Sequence, residues 1–108
     1  MASTHDYEID SRNEDIMIFI NGQYFHRSDA KVSVMDSGYL LGDGVWEGIR
    51  LYKGTLIHLD QHLDRLYHGA KAIAMDIDQT KQQMELAIRS TLEKNKMTTD
   101  VHIRLIVS

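Results

Sequence analysis

Apolar residues change period along this chain. From Ile16 to Tyr52 they come in short runs and alternations, from Leu63 to Leu92 they recur every three or four residues, and over the final nine they alternate again. "DIMIFINGQYF" places Asn21-Gly22 between two apolar runs, which predicts a tight hairpin because both turn residues tolerate positive φ. "AKVSVMD" alternates at Val32 and Val34 and predicts a short extended piece, while the three glycines of "SGYLLGDG" predict a tight loop. Val45 to Tyr52 predicts a strand, Lys53-Gly54 a turn, and Thr55 to Leu59 an antiparallel return. Leu63, Leu66, Tyr67, Ala70, Ile73 and Ala74 then mark a helix with Asp60 as its N-cap. Thr80 and Gln83 stand at capping-box spacing before a second stripe of Met84, Ala87, Ile88 and Leu92. "DVHIRLIVS" predicts a last strand that rejoins the sheet. Residues 1–14 are polar and aperiodic and read as an N-terminal arm. The fold class expected is α+β, an antiparallel sheet with two helices packed on it.

Bulk composition narrows the function classes. With 108 residues there is room for one domain and one core, burying roughly 65% of the unfolded surface. A formal charge of −4 argues against nucleic acid as a partner, since phosphate neutralisation needs a basic face. No run of about 18 apolar residues is present, so no membrane partner is expected, and the acidic, polar start is unlike a secretory signal. The absence of cysteine removes thiol chemistry and cysteine-based zinc sites. A cytoplasmic location is the expectation.

Alternation along the strand "VWEGIRLY" puts Val45, Glu47, Ile49 and Leu51 on one side and Trp46, Gly48, Arg50 and Tyr52 on the other. A glycine in mid-strand marks close approach by a ligand or another backbone. Between an aromatic ring and a guanidinium it suggests a pocket for a flat anion; the plain alternative is a core tryptophan, a surface arginine and a bulge. The last strand repeats the device, with His102, Arg104 and Ile106 opposite Val101, Ile103, Leu105 and Val107. Arg104 either meets an anion or lies in solvent on an edge strand. Arg65 follows a helix start, where a cation opposes the helix dipole unless it holds an anion together with free backbone N–H groups. Its plain alternative is an ion pair with Asp64 or Asp60. His58, His62 and His68 lack the spacing of a metal site, and no metal is expected.

Four segments in register resemble one family. "FINGQYF", "VSVMDSGYLLGDGVWEGIRLYKGTL", "HLDRLYHGAKAI" and "HIRLIVS" are similar, in order and spacing, to the N-terminal small domain of fold-type IV pyridoxal-phosphate enzymes. That family includes branched-chain aminotransferases, D-amino acid aminotransferases and aminodeoxychorismate lyases. The resemblance implies a small domain over residues 15–108. It implies pyridoxal 5'-phosphate as cofactor, with Arg65 of "HLDRL" holding its phosphate. Trp46, Gly48 and Arg50 match the family's substrate-pocket strand, and Arg104 matches an arginine that organises the site around the substrate carboxylate. Leu41 and His102 stand where branched-chain enzymes carry tyrosines. "GYLLGDGV" and "HLDRLYHGAKAI" lean toward the D-amino acid group, whereas "EGIR" and Arg104 lean toward L-branched-chain substrates. The implied partners are an amino acid, a 2-oxo acid and a second subunit of a homodimer. The three arginines are expected to share one cleft or rim.

Transamination needs a lysine that forms a Schiff base with the cofactor. Lys31, Lys53, Lys71, Lys81, Lys94 and Lys96 all fall in turns, at element ends or off the apolar stripes. No catalytic residue is therefore assigned to this chain. The resemblance places the lysine in a larger C-terminal domain, here absent, so the chain alone is expected to be inactive. Enzymatic alternatives are a D-amino acid aminotransferase or an aminodeoxychorismate lyase-like enzyme; the non-enzymatic alternative is an inactive binding or dimerisation module.

Overall fold

A computed structural model describes residues 9–108. Most of the expected N-terminal arm, residues 1–8, lies outside them. The chain divides after Ala30 into two compact units, each described by itself.

In the first unit Asp10 caps a single 3-10 turn, Ser11–Asn13, by accepting from the Arg12 backbone N–H. Strands β1 (Met17–Ile20) and β2 (Gln23–His26) then pair antiparallel, with Ile20 opposite Gln23. Asn21 (φ 50°) and Gly22 (φ 85°) form the reversal, so the Asn-Gly hairpin is present. Phe19 and Tyr24 meet edge-on across it, 5.4 Å between ring centroids.

The second unit is built on a three-stranded antiparallel sheet in the order β4–β3–β5: β3 spans Val45–Tyr52, β4 Thr55–Leu56 and β5 Val101–Val107. Two fourteen-residue helices, α2 (Leu59–Ala72) and α3 (Lys81–Lys94), supply the other half of its core. Ile49 and Leu51 of β3 are buried with Leu56, with Leu59, Leu63 and Leu66 of α2, and with Met84 and Ile88 of α3. Val45, Val101, Ile103, Leu105 and Val107 pack around that cluster, so one face of the sheet is apolar and covered. Strands and helices are thus segregated in the α+β manner expected. An ion pair between Lys81 and Asp64 ties α3 to α2, and the Tyr67 hydroxyl donates to the Gln79 carbonyl before α3 begins.

Local departures from expectation each have a cause. α2 starts at Leu59, and its N-cap is His58 in the left-handed region (φ 53°), not Asp60. Starting there carries Leu59 into the core, at 7% exposure, and leaves Asp60 in the first turn, where its charge complements the helix dipole. The return strand is correspondingly only two residues long. "SGYLLGDG" is not a plain loop: Ser37–Leu41 form a short helix, α1, capped by Asp36 and closed by Gly42 in the left-handed region (φ 73°). That conformation is the usual one for a glycine after a helix. Val32 and Val34 form no strand and remain exposed, since alternation alone cannot hold an extended segment that has no ladder to join. The capping box is made as expected: Thr80 Oγ1 accepts from the Gln83 N–H, and Gln83 Oε1 accepts from the Thr80 N–H.

Ile49 is fully buried and faces Ile103 across the ladder. Ile49→Ala is expected to lower the unfolding free energy of the chain by about 3 kcal/mol, checked by urea denaturation.

Candidate functional site

The β3–β5 register decides which chemistry-bearing residues share a surface. Trp46 pairs with Ile106, Gly48 with Arg104, and Arg50 with His102. Directly paired residues project to the same side of a sheet, so all six stand on the face that the helices leave uncovered. Trp46 (58%) and Ile106 (63%) are well exposed there. The Arg104 guanidinium lies over the Trp46 ring, 4.3 Å from its centroid. Such a stack holds a long, flexible cation in one place while its N–H groups stay available at the rim. Arg50 lies over Tyr52, 5.1 Å from the ring centroid, and 3.8 Å from an Asp100 carboxylate oxygen. Arg50, Asp100, Val101 and His102 line a shallow recess beside it.

Gly48 has a definite task on this face. A Cβ at that position would lie 2.8 Å from Cε1 of His102, too close for either atom. The close approach that a mid-strand glycine signals is made here by the imidazole ring, which fills the hollow between Trp46 and Arg50. Leu41 stands apart, 72% exposed, on the last turn of α1. Its helix is held to the end of the sheet where Trp46 lies, because Gly38 packs against Ser108 and Gly44 against the Val107 carbonyl.

Arg65 is on the other side. α2 packs on the covered face, and Arg65 reaches Glu47, whose side chain points into that face between Val45 and Ile49. Of the cleft or rim expected for Arg50, Arg65 and Arg104, a single cleft is not found: the sheet separates Arg65 from the other two, because position 47 alternates away from positions 46, 48 and 50. Arg65 is also the seventh residue of α2, beyond the first turn, so the dipole carries little weight there. Its partner is Glu47, neither Asp60 nor Asp64. One feature joins the two sides. β4 pairs only with Leu51 and Tyr52, so among the described residues no strand borders Val45 to Ile49 on the side away from β5. That half of β3 is an edge, with Trp46 and Gly48 to one side of it and the Glu47–Arg65 pair to the other.

Sequence reasoning assigns no role to Glu47 or His62, and the structure gives both one. Glu47 is the one buried charged residue among those described, at 4% exposure. Its Oε2 accepts from Arg65 Nε (2.9 Å) and its Oε1 from Arg65 Nη2 (2.6 Å), a two-pronged pair. His62 Nδ1 lies 2.6 Å from the same Oε1. The Arg65 guanidinium, helped by His62 and opposed by burial, holds the Glu47 carboxyl below the usual carboxylate range. The same pairing raises Arg65 above its already high value. The signal lies in the alternation: a carboxylate on a stripe of Val, Ile and Leu needs a cation to accompany it.

All six lysines are exposed.

Because the His102 ring is itself exposed, it can swing aside at small cost. Gly48→Ala is expected to displace the imidazole, seen as a large shift of its Hε1 resonance by NMR, while stability falls by only about 1 kcal/mol.

The class IV amino-transferase family model matches residues 44–108, which hold β3, β4, β5, α2 and α3. A Methanocaldococcus jannaschii protein assigned as a branched-chain-amino-acid aminotransferase is 47% identical over 91 residues, covering 84% of this chain and 31% of that protein. D-alanine aminotransferase of Staphylococcus epidermidis is 38% identical over 80 residues, 74% of this chain and 28% of its own. Among solved structures, the branched-chain amino acid aminotransferase from Escherichia coli superposes with a TM-score of 0.79 at 30% identity, over 86% of this chain and 32% of that one. The chain spans about a third of the length of these relatives. With family model, sequence identity and superposition in agreement, the chain belongs to the class IV aminotransferase family, fold type IV.

Proposed function

We propose that this chain is the N-terminal small domain, residues 15–108, of a pyridoxal-phosphate-dependent aminotransferase that moves an amino group between a branched-chain-like amino acid and a 2-oxo acid. The observation that carries this is the common face of β3 and β5, where an aromatic ring, two guanidinium groups and a glycine-seated imidazole stand together. Arg104, stacked on Trp46, and Arg50 beside it offer N–H donors to a carboxylate. Trp46, His102 and, from α1, Leu41 offer the apolar and aromatic surface against which a substrate side chain rests, over the space that Gly48 leaves.

The donor set fits a phosphate ester at Arg65. Glu47 occupies Nε and one side of Nη2, while Nη1 has no partner among the described residues and the side chain is 71% exposed. A guanidinium held along one edge and open along the other suits a phosphate oxygen pair. Bound pyridoxal phosphate would supply the electron sink for amino transfer. Arg65 would hold the phosphate of that cofactor, while Arg104 and Arg50, on the other face of the sheet, would be offered to the substrate carboxylate. With no buried lysine here, the amine that bonds the cofactor belongs to another part of the enzyme, and the chain alone is inactive.

The likeness to D-alanine aminotransferases supports a second reading, a D-amino acid substrate on the same face. Assaying the complete enzyme with L-leucine and with D-alanine against 2-oxoglutarate separates the two. We further propose a cytoplasmic homodimer. No helix among the described residues is long and apolar enough to cross a membrane.

Two measurements test the residue assignments. Arg65→Ala in the complete enzyme is expected to weaken pyridoxal 5'-phosphate binding at least about tenfold more than binding of unphosphorylated pyridoxal. Equal losses remove Arg65 from the phosphate. Trp46→Ala is expected to change the ratio of kcat/KM among aliphatic substrates while cofactor titrations stay unchanged, and an unaltered substrate profile removes Trp46 from the pocket.

A further inference from the structure

Glu47 presents a problem that the proposed site does not by itself solve. It is a carboxylate buried on the apolar face of β3, and a buried ion pair contributes little net stability compared with well-packed apolar side chains. It also places a negative charge beside the arginine proposed to hold an anion, which by charge alone weakens that arginine's attraction for phosphate.

Resting on the phosphate role proposed for Arg65, we infer that Glu47 is the positioning residue that aims the Arg65 guanidinium, with His62 fixing the carboxylate in turn. Two elements converge in this cluster. β3 supplies Glu47 from a position that alternation forces inward, and α2 supplies His62 and Arg65 three residues apart, on one helical face. Arg65 Nε and Nη2 both end on the Glu47 carboxylate, at 2.9 and 2.6 Å, so the plane of the guanidinium is set. His62 Nδ1 at 2.6 Å holds Oε1 from the preceding turn. The whole open edge of the guanidinium, Nη1 and the outer side of Nη2, is thereby directed away from Glu47.

Two opposed effects of Glu47 can be weighed. An unrestrained arginine loses side-chain freedom when a ligand orders it, and prior fixation removes much of that loss. Repulsion between Glu47 and a phosphate on the far edge of the guanidinium acts beside a side chain that is 71% exposed, where water screens it. Fixation therefore outweighs repulsion. The sign of the outcome discriminates: a positioning carboxylate raises preference for the phosphorylated cofactor, whereas one that merely neutralises Arg65 lowers it.

The test measures dissociation constants of pyridoxal 5'-phosphate and of pyridoxal for the complete apoenzyme by absorbance titration, and takes their ratio as the phosphate preference. Glu47→Gln is expected to reduce that preference about tenfold, with Arg65→Met reducing it at least as much and the double substitution no further than Arg65→Met alone. A general loss of structure would weaken both ligands together and leave the ratio unmoved. If Glu47→Gln fails to fold, His62→Gln, which removes only the outer support, is expected to reduce the ratio by about threefold. An unchanged or increased ratio in the folded carboxylate or histidine variant, with the ratio still lost in Arg65→Met, overturns the positioning role and leaves the phosphate role standing. A ratio unchanged in Arg65→Met removes the phosphate role and this inference with it.

Discussion

The pairing of β3 with β5 is the constraint on which the rest of this molecule depends. Seven consecutive residue pairs, from Val45 opposite Val107 to Leu51 opposite Val101, fix which side chains stand together. A slip of one residue would move Trp46, Gly48 and Arg50 to the helical side and expose Ile49 and Leu51. Core and candidate site are therefore two readings of one register, and burial of Ile49 against the α2 and α3 leucine, methionine and isoleucine side chains holds both.

Glu47 is the exception that this alternation makes unavoidable. Its position is inward by the same rule that buries Ile49, yet its side chain is charged, and the cluster with Arg65 and His62 is the answer to that conflict. The pair sits where α2 packs on the part of β3 that, among the described residues, has no strand on its outer side. Local inconsistency between residue type and environment tends to mark functional positions, and here it falls beside the strand that carries Trp46, Gly48 and Arg50.

Much of this is legible in the sequence, for physical reasons that differ by element. The Asn21-Gly22 and Lys53-Gly54 reversals are readable because few residues adopt positive φ, and both pairs do so here. The α3 capping box is readable because its two hydrogen bonds are local in sequence. The shared face of Trp46, Gly48, Arg50, His102 and Arg104 follows from period-two alternation on each strand, although the register that brings the strands together is a tertiary fact. What cannot be read depends on distant partners. α2 begins one residue before Asp60 because Leu59 is drawn into the core; Val32 and Val34 alternate without a neighbour to pair with; and the Arg65–Glu47 bond spans elements eighteen positions apart. Gly42 reads as a loop glycine because a five-residue helix gives too short a period to detect.

The ladder between β3 and β5 is made by main-chain groups alone, so the identities of the outward residues are not what binds the strands. Trp46, Arg50, His102 and Arg104 stand outside the inward set of Ile49, Leu51, Ile103 and Leu105 that the helices cover. An exchange on the outward face can therefore change what that face touches without disturbing how the chain folds.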